Sequence, residues 1–253
     1  GRLLAAGGTT AGYQADFKYD AIGNLTWNSS WLDRGDGTYS YGQGEGPHAV
    51  RSIGLHSGFQ YDVNGAIEAR WQVGADDWER RYEYGADGRL RSTVHTDGVT
   101  GEETRTTGLL DGFKQRVARS VEVDGAPTST LVRPNLHIEL RDGVAVRTIW
   151  AGGRRVAETA AALVGPGSTA TFFWEDHQGQ QVAALEVGDL LTGSPSVVGL
   201  SQVRRDPWGG VLEGDEERLS RGASGGDREP TGETYLGWRL YDAEVGRFLQ
   251  ADA

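Results

Sequence analysis

The chain has 253 residues, of which 39 are glycine and 24% are charged, with a formal net charge of −11. That balance argues against nucleic acid as a partner, because backbone phosphates call for a clustered, exposed basic surface. The absence of cysteine excludes disulfides, thiolate nucleophiles and zinc–cysteine sites.

Glycine stands at about twice its usual share of roughly 7%, with no fixed period and little proline, which points to frequent tight turns rather than collagen or disorder. The opening run, Gly1 to Gly8, is too short and too weakly apolar for a signal peptide or a membrane span. With no methionine anywhere, the chain is expected to be a piece of a longer polypeptide.

A repeat appears first at Tyr19-Asp20-Ala21-Ile22-Gly23-Asn24-Leu25. It returns at Tyr61-Asp62-Val63-Asn64-Gly65-Ala66-Ile67 and, degraded, at Tyr84-Gly85-Ala86-Asp87-Gly88-Arg89-Leu90. Each unit reads as a strand ending in Tyr, an aspartate that bonds its own backbone to start a turn, a glycine for positive φ, and an apolar residue that opens the return strand. The uneven spacing of these hairpins disfavours a propeller or a leucine-rich solenoid. Asp-Gly pairs at 36–37, 97–98, 124–125 and 142–143 lie between alternating apolar and polar runs, a strong hairpin signal. Within the stretch after Asp142-Gly143, alternation places Val144, Val146, Thr148 and Trp150 on one strand face, and Gly152-Gly153 turns the chain back.

Residues 158–163 are too few for a stable helix and run into Gly-Pro-Gly, so the fold is expected to be nearly all β. Residues 172–182 read as strand-turn-strand and Arg205 to Gly209 as a type I turn. Stretches 190–198 and 214–232 read as loops, which makes Asp227 a loop residue. The end of the chain, residues 231–252, is the most specific stretch, with Gly237 and Gly246 placed where the backbone must bend.

Five scattered histidines, at 48, 56, 95, 137 and 177, include no pair at ligand spacing, so no metal site is expected. Glycine pairs lack the lysine and helix of a phosphate loop, so no nucleotide or other cofactor is expected either.

The run Gly237, Arg239, Tyr241, Asp242, Gly246, Arg247, Phe248 and Asp252 closely resembles the C-terminal core of the Rhs, or YD-repeat, proteins. Asp176-His177-Gln178-Gly179, Asp206-Pro207-Trp208-Gly209 and Pro47-His48-Ala49-Val50 resemble further steps of that family in order. The resemblance implies a β-sheet ribbon spiralling into a hollow shell, as in the C component of Tc toxin complexes, that encloses a C-terminal toxin. Residues 1–120 would be YD-repeat hairpins, and 121–253 the associated core, ending as an inward plug. It further implies a secreted or system-delivered, extracellular protein. Its partners would be the rest of the shell, the enclosed toxin and a capping or delivery protein.

Many members of that family release the toxin by intramolecular aspartic proteolysis. Two carboxylates sharing a proton do such work, one charged and one neutral. The candidates by position are Asp252, Asp242 and Asp227, with Arg239 and Arg247 as charge partners. Where the family carries Arg-Asp before Thr231-Gly232, this chain reads Asp227-Arg228, and Ala253 replaces the family's proline after Asp252. Two other readings stand beside this one. Trp27, Trp31 and Trp78 on an extended β surface suit stacking on sugar rings in a carbohydrate-binding or adhesion module. A conventional β hydrolase would need its acid and base carboxylates gathered in a cleft.

Overall fold

The computed structural model describes residues 2–7, 14–30, 36–42, 46–74, 77–113, 115–161, 168–188, 196–216, 218–219, 221–237 and 239–250. Strands dominate, and among the described residues there is no α-helix. The chain divides into two compact units, one of residues 1–83, 93–104 and 250–253, the other of residues 84–92 and 105–249.

In the first unit, β1 (Ala5–Gly7), β2 (Gln14–Tyr19) and β3 (Leu25–Asn28) form a small antiparallel sheet. Then β4 (Tyr39–Tyr41), β5 (Val50–Ile53), β6 (Ser57–Tyr61), β7 (Ile67–Gln72) and β8 (Trp78–Tyr84) pair each with the next, all antiparallel. The loops between them explain the order. Asp20 Oδ1 accepts the backbone N–H groups of Gly23 and Asn24, both at 2.8 Å, and Asp62 Oδ1 does the same for Asn64 and Ala66 at 2.8 and 2.9 Å. Such loops can only return a strand beside its predecessor. The Pro47-His48 step has a local reason as well: the fully buried Asn24 of the first repeat donates to the Pro47 carbonyl at 2.8 Å and meets His48 Nδ1 at 2.6 Å.

Strands β9 (Leu90–Asp97) and β10 (Glu103–Leu110), like β8 at Tyr84, carry residues of both units. The second unit continues with β11 (Arg116–Val123), β12 (Ala126–Asn135), β13 (Ile138–Arg141), β14 (Val144–Ala151), β15 (Arg154–Ala161), β16 (Ser168–Glu175), β17 (Gln181–Gly188), β18 (Ser196–Arg205) and β19 (Val211–Gly214). Each again pairs antiparallel with the next. Asp124-Gly125 and Asp142-Gly143 form two-residue turns with both φ values positive, at 48° and 77°, then 50° and 80°. These are the turns whose twist matches that of flanking strands. Asp36-Gly37 differs, because it makes no hairpin: the Gly37 carbonyl instead accepts from Asn28 at 2.9 Å, and Asp36 Oδ1 caps Thr38.

Register sorts the side chains of this sheet onto two faces. One holds Glu139 opposite Val146, Glu158 between Thr148 and Thr171, and Ala184 between Phe173 and Ser201, all buried. On the other, the row Ile149, Ala157, Phe172, Leu185 and Leu200 includes exposed apolar side chains. Val146 and Thr148 are buried as alternation predicts, but Trp150 is 40% exposed, because the register shifts between Ile149 and Trp150. A bulge interrupts period-two counting.

The buried face is covered by the C-terminal part of the same unit. A 3-10 turn (Ala223–Gly225) leads into β20 (Asp227–Arg228), β21 (Thr234–Leu236), β22 (Arg239–Asp242) and β23 (Arg247–Phe248), a separate four-stranded antiparallel sheet. Leu219 joins Phe173, Ala184 and Val203 in an apolar cluster. Residues 214–232 are therefore not a solvated loop throughout: they contain β20, and Asp227 within it is buried.

A buried arginine–carboxylate cleft as candidate site

Arginines project from the covered face of β11 to β15 where apolar residues would be the ordinary choice. Arg116 and Arg119 come from β11, Arg133 from β12, Arg141 from β13 and Arg155 from β15. Arg116 bridges Asp227, at 3.3 Å, and Glu229; Arg119 lies 3.7 Å from Glu229 and donates to the Arg228 carbonyl at 3.0 Å. Arg133 reaches Asp227 and, at 2.9 Å, Glu139. Arg141 spans Glu139 and Glu158, at 2.6 and 2.8 Å, and Arg155 pairs with Glu158. Arg221, from the covering segment, completes the set by pairing with Asp227. The result is one continuous network of six arginines and four carboxylates, stitching β20 and its flanks to the sheet.

Burial of this depth raises a carboxyl pKa, so an ionised group survives only where cations outweigh it. Around Asp227, Arg221, Arg133 and Arg116 do outweigh it, and its carboxyl is held well below the usual carboxylate range. At Glu139 the same contest, with burial opposed by Arg141, Arg133 and Arg155, lowers the pKa to about 2. Arg141 is raised despite its burial, by Glu158 and Glu139. Arg119 and Arg155 go the other way. Burial lowers both, with Arg116 and Arg133 crowding the first and Arg221 and Arg141 the second. Beside the network lies a cleft of about 430 Å³, lined by Arg119, Arg133, Arg141, Arg155, Glu186 and Arg218 among others.

Asp227 thus lines the cleft, but its cationic partners are Arg116, Arg133 and Arg221, not Arg239 or Arg247. Those two belong to the final hairpin with Asp242. The Arg239 guanidinium lies 3.7 Å over the Phe248 ring, Tyr241 meets Phe248 edge-on at 5.5 Å, and Arg247 pairs in register with Asp242. Asp242 is buried and its Oδ1 accepts the Glu244 N–H at 2.9 Å, the bond of a turn former. Gly237 and Gly246 both have positive φ, at 67° and 66°. Asp252 lies outside the described residues.

One carboxyl that sequence reading took only for a turn residue stands out. Asp206 accepts the N–H groups of Trp208 and Gly210, both at 2.8 Å, yet burial pushes it up to about 6 against those bonds and Arg205. Its neighbour Tyr241 is raised by burial and by both Asp206 and Asp242. Chemically, Asp227 is an ionised acceptor that cannot supply a proton near neutrality, whereas Asp206 is a carboxyl that changes charge there. Among the described residues, no group of three or more His, Asp or Glu is placed to hold a metal ion, and no helix is long and apolar enough to cross a membrane.

No protein-family model and no curated protein sequence matches the chain. Solved structures do. A crystal structure of a TcdB2–TccC3 complex matches at 18% identity and a TM-score of 0.52, covering 94% of this chain and 12% of that one. A Tc holotoxin pore of Photorhabdus luminescens with a mutated TccC3 matches at 18% identity and 0.51, covering 95% and 12%. A TcdB2–TccC3–Cdc42 structure matches at 17% identity and 0.51, covering 96% and 11%. This chain therefore has the fold of a segment of Tc toxin components, and it spans about an eighth of the length of the chains it matches.

Proposed function

We propose that this chain is a shell and core segment of an Rhs-type toxin, a ribbon of hairpins that helps enclose an effector and ends in a plug. The observation that carries the reading is the folding back of the segment that holds Leu219, Asp227 and Tyr235 onto one face of a sheet whose strands follow chain order. A ribbon built this way can lengthen by adding hairpins, and a segment of it can wall a compartment without closing as a domain of its own. In this reading the protein acts outside the producing cell, delivered by a bacterial toxin system, and its partners are the remaining shell and the effector.

Release follows by a single self-cleavage beyond Asp252. The candidate carboxylates are Asp252, Asp242 and Asp227, of which Asp227, kept ionised by its arginines, suits the charged role that activates water. Asp242, Arg239 and Arg247 hold the final hairpin in place for that step. The test is the intact mass of the full-length polypeptide, including whatever follows Ala253, before and after treatment with an added protease. Enclosure predicts that the downstream part survives digestion. Self-cleavage predicts two masses before the protease is added and one in Asp252→Asn and Asp227→Asn. A downstream part degraded as fast as a free one would refute the enclosure.

A glycan-binding module is the second reading, favoured by Phe172 and Trp174, which share the uncovered face of β16 and are 41% and 49% exposed. Binding on a glycan array, lost in Trp174→Ala, would support it.

A further inference from the structure

An antiparallel sheet with one covered face ordinarily turns its apolar side chains inward and its polar ones to water. In the second unit the order is reversed: the covered face carries the arginine network, and the uncovered face is almost wholly apolar. Register assigns the members of that face. Beside the row from Ile149 to Leu200 runs another, from Ile138 through Arg147, Thr159 and Ala170 to Val187, and beyond it Val132, Leu140 and Ala145 stand in line. Trp174, opposite Ala183, extends the face on its other side. Arg147 is the single charge in these rows. Val132, Ile138, Ile149, Phe172, Trp174 and Leu200 are between 37% and 60% exposed.

The size of the patch matters. Seven strands, β12 to β18, at about 4.8 Å spacing span about 29 Å, and rows two residues apart add about 20 Å along the strands. With its empty corners left out, the patch covers on the order of 500 Å², and a contiguous apolar surface of that extent marks an interaction site. Its breadth selects the partner. A helix, about 10–12 Å across, would cover only one or two rows, whereas a second sheet stacks about 10 Å away over the whole width. The chain itself supplies an apolar sheet face of the required size. Two copies share the same hand of twist, so their strands can stack aligned to within about 30°. Together they would bury about 1,000 Å², the lower bound for a specific interface, which sets the affinity at the weak end.

We propose that this uncovered face is a self-association surface, on which a second copy of the chain stacks sheet to sheet in a closed dimer. The other face keeps its C-terminal strands, so association ends at two. Arg147 is the one group in the rows whose charge the stacking desolvates at a cost. The proposal rests on this face alone and holds whether or not the chain encloses an effector: enclosure is read by mass after protease, association by sedimentation.

The test is sedimentation velocity of the full chain from about 1 to 200 µM, the range that brackets a micromolar dissociation constant. A reversible monomer–dimer equilibrium is expected, tighter at high salt because each copy carries a net charge of −11. Phe172→Glu, at the centre of the patch, should weaken the dimer about tenfold or more. Arg147→Leu should tighten it, and this opposite sign decides the matter if Phe172→Glu does not fold. Val63→Glu, at a fully exposed turn of the first unit, should leave it unchanged. In the unaltered chain, hydroxyl-radical oxidation of Trp174 and Leu200 should fall as the concentration rises, while that of Val63 stays constant. A monomer at every concentration, growth without limit beyond the dimer as edge-to-edge pairing would give, or no tightening in Arg147→Leu overturns the proposal. A monomer whose Trp174 is shielded instead by an added glycan or by phosphatidylcholine vesicles gives the face to that occupant and overturns it too.

Discussion

Asp227 meets three arginines, and each is stranded if the carboxylate is removed. Asp227→Asn should destabilise the chain by about 3–5 kcal/mol, the range for breaking a buried ion pair from one side, measured as a loss of urea midpoint at unchanged slope. Asp206 should behave oppositely. Its folded pKa, about 6, lies above the ordinary 3.8, so the group protonates more readily in the folded state, and stability falls as pH rises from about 4 through 6. An amide keeps the two N–H bonds without the charge. Asp206→Asn is therefore expected to stabilise by about 1–2 kcal/mol at pH 7.5 and by nothing near pH 4, read from paired melts. Position just ahead of the Thr231-Gly232 step pointed to Asp227, but not its surroundings, because Arg116 and Arg133 lie 111 and 94 residues upstream. A clue was present in the arginines at inward positions of β12, β13 and β15, but it says nothing of which acids they meet.

Hairpins were the most legible elements, and they prove more uniform than the motifs suggest. The loop built by Asp20 recurs at Asp62, Asp111, Asp176 and Asp206, each aspartate N–H bonding the carbonyl four residues on. Asp176-His177 and Asp206-Pro207, which read as separate core motifs, are thus the same device, and His177 is an exposed loop residue. Even Glu229 to Glu233 keeps the backbone pattern without the aspartate. Alternation failed at Trp150 because a bulge leaves no mark in side-chain type. The final hairpin adds a steric condition. Gly246 has φ of 66°, and a Cβ there would lie 2.6 Å from Trp208 Cδ1. Gly246→Ala should therefore cost about 1–3 kcal/mol, combining left-handed strain with displacement of the Trp208 ring, and a lowered Tm would report it.

For the molecule as a whole, the titrations of Asp206 and of the arginine-bound acids pull in opposite directions. Glu139 is lowered from 4.5 to about 2, and Asp227 is lowered as well, so their contribution is complete above about 4.5 and disappears as pH falls toward 2. Asp206 favours the folded state as pH falls from 6 to about 4. Stability is expected to peak between about pH 4 and 5, a test made by urea midpoints from pH 3 to 8. An all-β ribbon of successive hairpins could be read from the sequence because every pairing is local. The covering of one sheet face could not, since it depends on contacts between strands more than ninety residues apart.

That contrast has a mechanical consequence. In the second unit each strand of the large sheet holds only its chain neighbours, so a pulling force applied through the termini meets no interlocked strands there. The arginine network should rupture first, in one high-force event, after which hairpins open one by one in short steps of the length of two strands and a turn. An optical-tweezers trace with one large rip followed by a staircase is the expected record. Reversed, the staircase is a refolding order that can begin at whichever end of the ribbon emerges first from a narrow passage, with the C-terminal strands docking last.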